Sequence, residues 1–81
     1  MQLTDQLLTV ARAYSAAREV SMARISTLIF NDGKKFDLLE RGKDLGTKTH
    51  EKAMQWFSDR WPDGTDWPAD VVRPAPAEAA A

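Results

Sequence analysis

Residues 20–31 read Val20-Ser21-Met22-Ala23-Arg24-Ile25-Ser26-Thr27-Leu28-Ile29-Phe30-Asn31, which is the pattern of a short helix with a clear start and a clear stop. Ser21 is a favourable N-cap, because its hydroxyl can accept one of the free amide N–H groups of the first turn. Val20 before it and Ile25 after it have the spacing of a hydrophobic staple. Ile25, Leu28 and Ile29 recur at helical spacing and form the expected buried face. Asn31-Asp32-Gly33 then closes the element, since Asn and Gly accept the left-handed conformations that a turn demands. The helix is expected from Met22 to about Phe30.

Upstream, Leu3, Leu7, Val10, Ala11, Tyr14 and Ala17 mark another apolar stripe. A first helix over about residues 5–17 follows, with Thr4 as cap and Leu3 and Leu8 as staple. Three or four residues then separate the two helices, which suits a helix-turn-helix corner. Downstream, Lys34 to Arg41 reads as a short third helix with Gly42 just past its end. Thr47 or Thr49 can cap a fourth, which carries Ala53, Met54, Phe57 and Trp61 along one side with Trp56 beside them. Pro62 stops it. Val20, Ile25, Leu28 and Ile29 are expected to bind the second helix to the first and fourth.

The fold class is therefore all-α: a three- to four-helix domain over residues 1–73, with Trp67-Pro68 and Val71-Val72 returning as an extended strap. The end of the chain, 74–81, is rich in Pro and Ala and offers no large apolar group to offset the entropy of ordering it. It reads as a disordered tail.

The chain has 81 residues, no cysteine and a net charge of −1. So small a domain without disulfide staples fits a reducing, cytoplasmic setting. Neither the basic start of a signal peptide nor a membrane-length apolar run is visible. The charge is unevenly spread: Arg12 to Lys48 holds eight basic and five acidic residues, whereas Arg73 is the one base beyond Arg60. A mildly basic body with an acidic end is compatible with a polyanionic partner, because local field outweighs the sum.

Catalytic equipment is not apparent. His50-Glu51 lacks the second histidine that a zinc-protease helix requires, and His50 is expected as a solvated first-turn residue. Ser15, Ser21, Ser26 and Ser58 lie in no nucleophile elbow, and Gly33, Gly42, Gly46 and Gly64 stand singly, so no phosphate-cradling loop is present. No enzyme, cofactor or metal is expected.

Residues 20–31 resemble the recognition-helix half of LacI-type and Cro-type helix-turn-helix domains. Val20-Ser21 matches the family's first Val-Ser pair, Ile25-Ser26 the second, and Ile29 the later apolar slot. Arg24 stands where threonine is common, and Glu19 where the family usually has the turn glycine. A non-glycine residue there must accept a strained turn or a different corner. The chain as a whole is similar to small bacterial and prophage proteins, a likeness that brings no activity with it.

The resemblance implies double-stranded DNA as partner and a small bacterial or phage transcription regulator acting as a homodimer, with helix four and the strap as the dimer surface. The residue types suit that task. Ser21, Met22, Arg24, Ser26 and Thr27 lie off the apolar face, Arg24 can bond guanine O6 and N7, and small hydroxyls permit close approach. Lys34 and Lys35 fall near the flanking phosphates. An alternative remains: an interaction module, antitoxin-like or a phage-encoded inhibitor, that docks a host protein through Trp56, Trp61 or Trp67, since tryptophan dominates interface hot spots.

Overall fold

The computed structural model describes residues 2–75, which form four helices and no strand. They are α1 (Leu3–Arg18), α2 (Met22–Phe30), α3 (Lys35–Glu40) and α4 (Thr47–Arg60). The chain is all-α, as its periodicity predicts.

Helix α1 begins two residues before the expected start. The Gln2 carbonyl accepts the Gln6 N–H at 3.0 Å, so the first turn closes with no side-chain cap. Thr4 and Leu3 are thereby helical residues, neither cap nor flank. The helix buries Leu7, Leu8, Val10, Ala11 and Tyr14, a stripe that contacts each of the other three helices. It ends at Glu19, whose backbone is left-handed at φ 55°, while the Val20 N–H reaches the Ser15 carbonyl at 3.1 Å. That is the bond pattern of a Schellman stop, made here without glycine. The Ser15 hydroxyl also bonds the Val20 carbonyl.

Three residues later α2 starts as expected: Ser21 Oγ accepts the Arg24 N–H at 3.1 Å. Asn31, left-handed at φ 56°, ends it. Two corrections concern its faces. Leu28, expected inside, is 51% exposed, and Ser26, expected outside, is fully buried. The cause is the next corner. The Ser26 hydroxyl donates to the Asp32 carbonyl and accepts the Phe36 N–H at 3.3 Å, tying α2 to the start of α3. A buried hydroxyl with both roles used is stable inside, and these bonds rotate the helix so that position 26 points inward. The inner side becomes Ile25 and Ser26, with Met22 and Ile29 half-buried beside them. It packs chiefly on α3 and α1, where the apolar pattern suggested α1 and α4.

Helix α3 buries Phe36 and Leu39, and Phe30 meets Phe36 edge-on at 5.5 Å. Gly42 follows with φ 101°, where the Gly42 and Lys43 N–H groups bond the Leu39 and Leu38 carbonyls, each at 3.1 Å. This second Schellman stop does use the glycine that the left-handed turn favours. Helix α4 is capped by Gly46 and not by Thr47 or Thr49, which lie inside its first turn. Its inner side, Ala53, Met54 and Phe57, closes the core against α1.

The strap returns over the helices as expected through Trp67 and Val71, but it is folded on two turns (Thr65 N–H to the Pro62 carbonyl, Val71 N–H to the Pro68 carbonyl), and Val72, expected with it, is 88% exposed. Trp61 and Trp67 stack at 4.7 Å between centroids, and their indole N–H groups donate to Thr65 O and Val71 O, each at 2.8 Å. Val71 is buried. Arg73 lies over Trp67 and donates to the Ser58 carbonyl at 2.8 Å, and Ser58 Oγ in turn bonds the Pro74 carbonyl. Gln55 holds the Ala75 carbonyl at 2.8 Å. Pro74 and Ala75, expected in the tail, are thus tied to α4. The remaining tail residues, 76–81, lie outside the described ones.

Candidate nucleic-acid interface

Once Ile25 and Ser26 are fixed inside, helical geometry dictates what faces out. Ala23, Arg24, Thr27 and Leu28 are exposed, and the exposed Asn31 continues the same side. These positions repeat at three and four residues, so they form one strip along α2. The helix holds no acidic residue, and Arg24 enters no ion pair among the described residues. The strip combines one free guanidinium with the small Ala23 and Thr27, the polar Asn31 and one half-exposed leucine, Leu28.

The corner after α2 adds charge beside the strip. A Cβ on Gly33 would stand 3.1 Å from Thr27 Oγ1 and 3.7 Å from the Ala23 carbonyl. The loop therefore lies against the edge of α2, and a larger residue at position 33 would require Thr27 to give by a few tenths of an ångström. Asp32 Oδ1 accepts the Lys34 N–H at 2.9 Å, which fixes the corner and leaves the Lys34 side chain exposed. Lys35 turns the other way: it is half-buried, with its ammonium 5.9 Å from the Phe30 ring centroid.

Of the seven residues singled out from the sequence, Ser21, Arg24, Thr27 and Lys34 come together around the outer side of α2. Ser26 does not, being buried. Met22 is half-buried against the core and Lys35 is held at Phe30, so neither joins the strip. Ala23, Leu28 and Asn31 belong to it and were missed. Their spacing from Arg24, at one, four and seven residues, carries that signal once the inner side is known.

Two grooves lie elsewhere. One, of about 450 Å³, runs between the start of α1 and the end of α3, past the exposed Arg12–Glu40 ion pair at 3.1 Å. The other, of about 400 Å³, is bordered by Gln6 of α1, His50, Met54 and Gln55 of α4, and Val72 and Pro74 of the strap. His50 is a correction: it is 7% exposed, not solvated, and its Nδ1 is buried without a hydrogen-bond partner. Burial pushes its pKa below the ordinary value, partly opposed by the neighbouring Glu51 carboxylate. Among the described residues, no three His, Asp or Glu side chains converge as metal ligands, and no helix is long and apolar enough to cross a membrane.

Comparison of the chain with protein-family models, curated proteins and solved structures finds no match.

Proposed function

We propose that the protein binds double-stranded DNA by laying the outer side of α2 in the major groove, in the manner of a small bacterial or phage transcription regulator. The observation that carries this reading is the strip itself: an acid-free helix side bearing an unpaired Arg24 beside Ala23, Thr27 and Leu28, held by a capped corner. An arginine so placed can bond guanine O6 and N7, and Lys34 beside it can meet the phosphate backbone. The corner agrees with the resemblance at its weakest point. Glu19, at the position of the family's turn glycine, does adopt the left-handed backbone. One short helix reads few base pairs, so useful specificity calls for two copies on two half-sites, with α4 and the strap as the pairing surface.

The alternative, docking of a host protein through the tryptophans, loses its main support. Trp61 and Trp67 spend their indole N–H groups on the strap, and Trp56 packs edge-on against Tyr14 and Phe57 at 5.4 and 5.2 Å. These rings are half-buried and packed against the core.

Fluorescence anisotropy with a pool of random duplexes, at low and then moderate salt, tests the reading. Binding that weakens steeply with salt is expected, because phosphate contacts release counterions. On a selected site, Arg24→Ala should cost ~1–3 kcal/mol and relax preference at one base pair. Lys34→Ala should weaken all sequences alike and flatten the salt dependence. A wild-type protein that binds no duplex at low salt overturns the reading.

A further inference from the structure

Leu28 is the one large apolar side chain on the outer strip of α2, and it is half exposed with no role in the core. We propose that Leu28 reads thymine, packing on the C5-methyl group of a thymine in the major groove near the guanine engaged by Arg24. This rests on the DNA-binding reading and deepens it by assigning a second base.

The neighbours argue for DNA over another protein as what covers Leu28. An interface between proteins needs a contiguous apolar patch, commonly hundreds of Å². Leu28 stands alone, flanked by Arg24 one turn before it, Thr27 beside it and Asn31 three residues on. Pairing α2 with α2 of a second copy would also bring two unscreened Arg24 side chains together. Around Leu28 the exposed cations are Arg24 and Lys34, and the acid of that corner, Asp32, is engaged by the Lys34 backbone. Such a surface complements a polyanion. Duplex DNA offers few apolar groups in its major groove, and the thymine methyl is the one that marks a base. A single leucine matches it.

The geometry sets the spacing. Arg24 and Leu28 are four residues apart, so their Cα atoms differ by about 6 Å along the helix axis. With α2 lying along the groove, that rise corresponds to about two base steps of ~3.4 Å. The preferred site should hold a guanine and a thymine separated by one or two base pairs.

Sites are first selected from random duplexes with the full-length protein. Affinity is then measured for wild type, Leu28→Ala and Leu28→Gln on the selected duplex and on the same duplex with uracil in place of the thymine, which deletes only the methyl group. Wild type is expected to bind the uracil duplex about fourfold more weakly, the fold-change that corresponds to one buried methyl-sized group. Both variants, folded by circular dichroism because the side chain is exposed, should bind the two duplexes equally. Salt-dependent binding that is indifferent to the methyl in wild type overturns this assignment and leaves the DNA reading standing. So does equal methyl sensitivity in all three proteins. A change in molecular mass by light scattering in Leu28→Ala would overturn it in favour of a protein contact. Absence of any duplex binding by wild type removes both.

Discussion

His50 shows what one side chain can contribute when its surroundings are completed by distant chain. It lies in the first turn of α4 at the edge of the groove bordered by Val72 and Pro74, and burial lowers its pKa, partly opposed by Glu51. Its folded pKa lies below the unfolded value of about 6.5. Above that pH both states are neutral and the group has no effect. As pH falls through it, the unfolded chain takes up a proton that the folded protein resists, so stability should decline. The charged groups bearing on it are few: Glu51 follows it, while Gln6 of α1 and Val72 and Pro74 of the strap bring no charge. Urea midpoints should therefore be lower at pH 5.5 than at pH 7.5, and Leu in place of His50 should remove most of that difference. Equal midpoints in the native chain would show the imidazole to be solvated after all. The local spacing does carry this burial, since His50 lies three, four and seven positions before Ala53, Met54 and Phe57 on the buried side of α4; the groove beside it is completed by Gln6 of α1 and by Val72 and Pro74.

At the scale of elements, the legible features were those decided within a turn or two of chain. Ser21 as cap, Asn31 and Gly42 as stops and Pro62 as terminator all follow from backbone groups a few residues away. The rotation of α2 did not. Each step along a helix turns it by about 100°, so Ser26 and Leu28 lie about 160° apart, one on each side of Ile25 and Ile29, and a roll of roughly 50° brings one in as the other goes out. What sets the roll is the bonding of Ser26 to Asp32 and Phe36. Apolar periodicity alone favours burying the leucine and is blind to a hydroxyl that acts as a bracket between helices. The α1–α2 corner offers a test at the same scale. A non-glycine residue in the left-handed region costs about 1–2 kcal/mol, partly offset in glycine by its freer unfolded chain. Glu19→Gly should stabilise the protein by ~0.5–1 kcal/mol, a rise of about 2–6 °C in melting temperature. A lower melting temperature would mean that the glutamate side chain holds the corner in place.

The whole molecule, 34 × 26 × 23 Å, is held together at two ends. At one, α1, α2 and α3 share Ile25, Phe36 and Leu39; at the other, the strap roofs the aromatic cluster of Tyr14, Trp56, Phe57 and Trp61. Removing everything after Trp61 strips Trp67, Val71 and the Arg73 bonds to Ser58. Burial of a tryptophan and a valine amounts to roughly 5 kcal/mol or more. That approaches the whole stability of a domain this small, about 5 kcal/mol at the lower end of the usual range. The shortened chain should lack a cooperative melt near that of the parent. Truncation after Arg73 removes, among the described residues, the carbonyl acceptors of Pro74 and Ala75 and the Pro74 ring at the groove, and should cost ~1–3 kcal/mol. Similar melts for the two truncations would show that the strap's rings do not pack as described.

The division of α2 into a bracketed inner side and an idle outer side has a consequence for how such a chain can diverge. Ile25 and Ser26 answer to the fold, as do Ala23 and Thr27 where Gly33 lies against them; Arg24 and Leu28 answer only to what they touch outside. Exchange at the second group leaves the scaffold's free energy almost unaltered, since exposed substitutions away from caps and brackets shift stability by about 0.5 kcal/mol or less. A descendant of this protein can therefore acquire a new preference by drift at a few positions, with no compensating change elsewhere, and two copies of its gene could part ways in target while remaining the same molecule in shape.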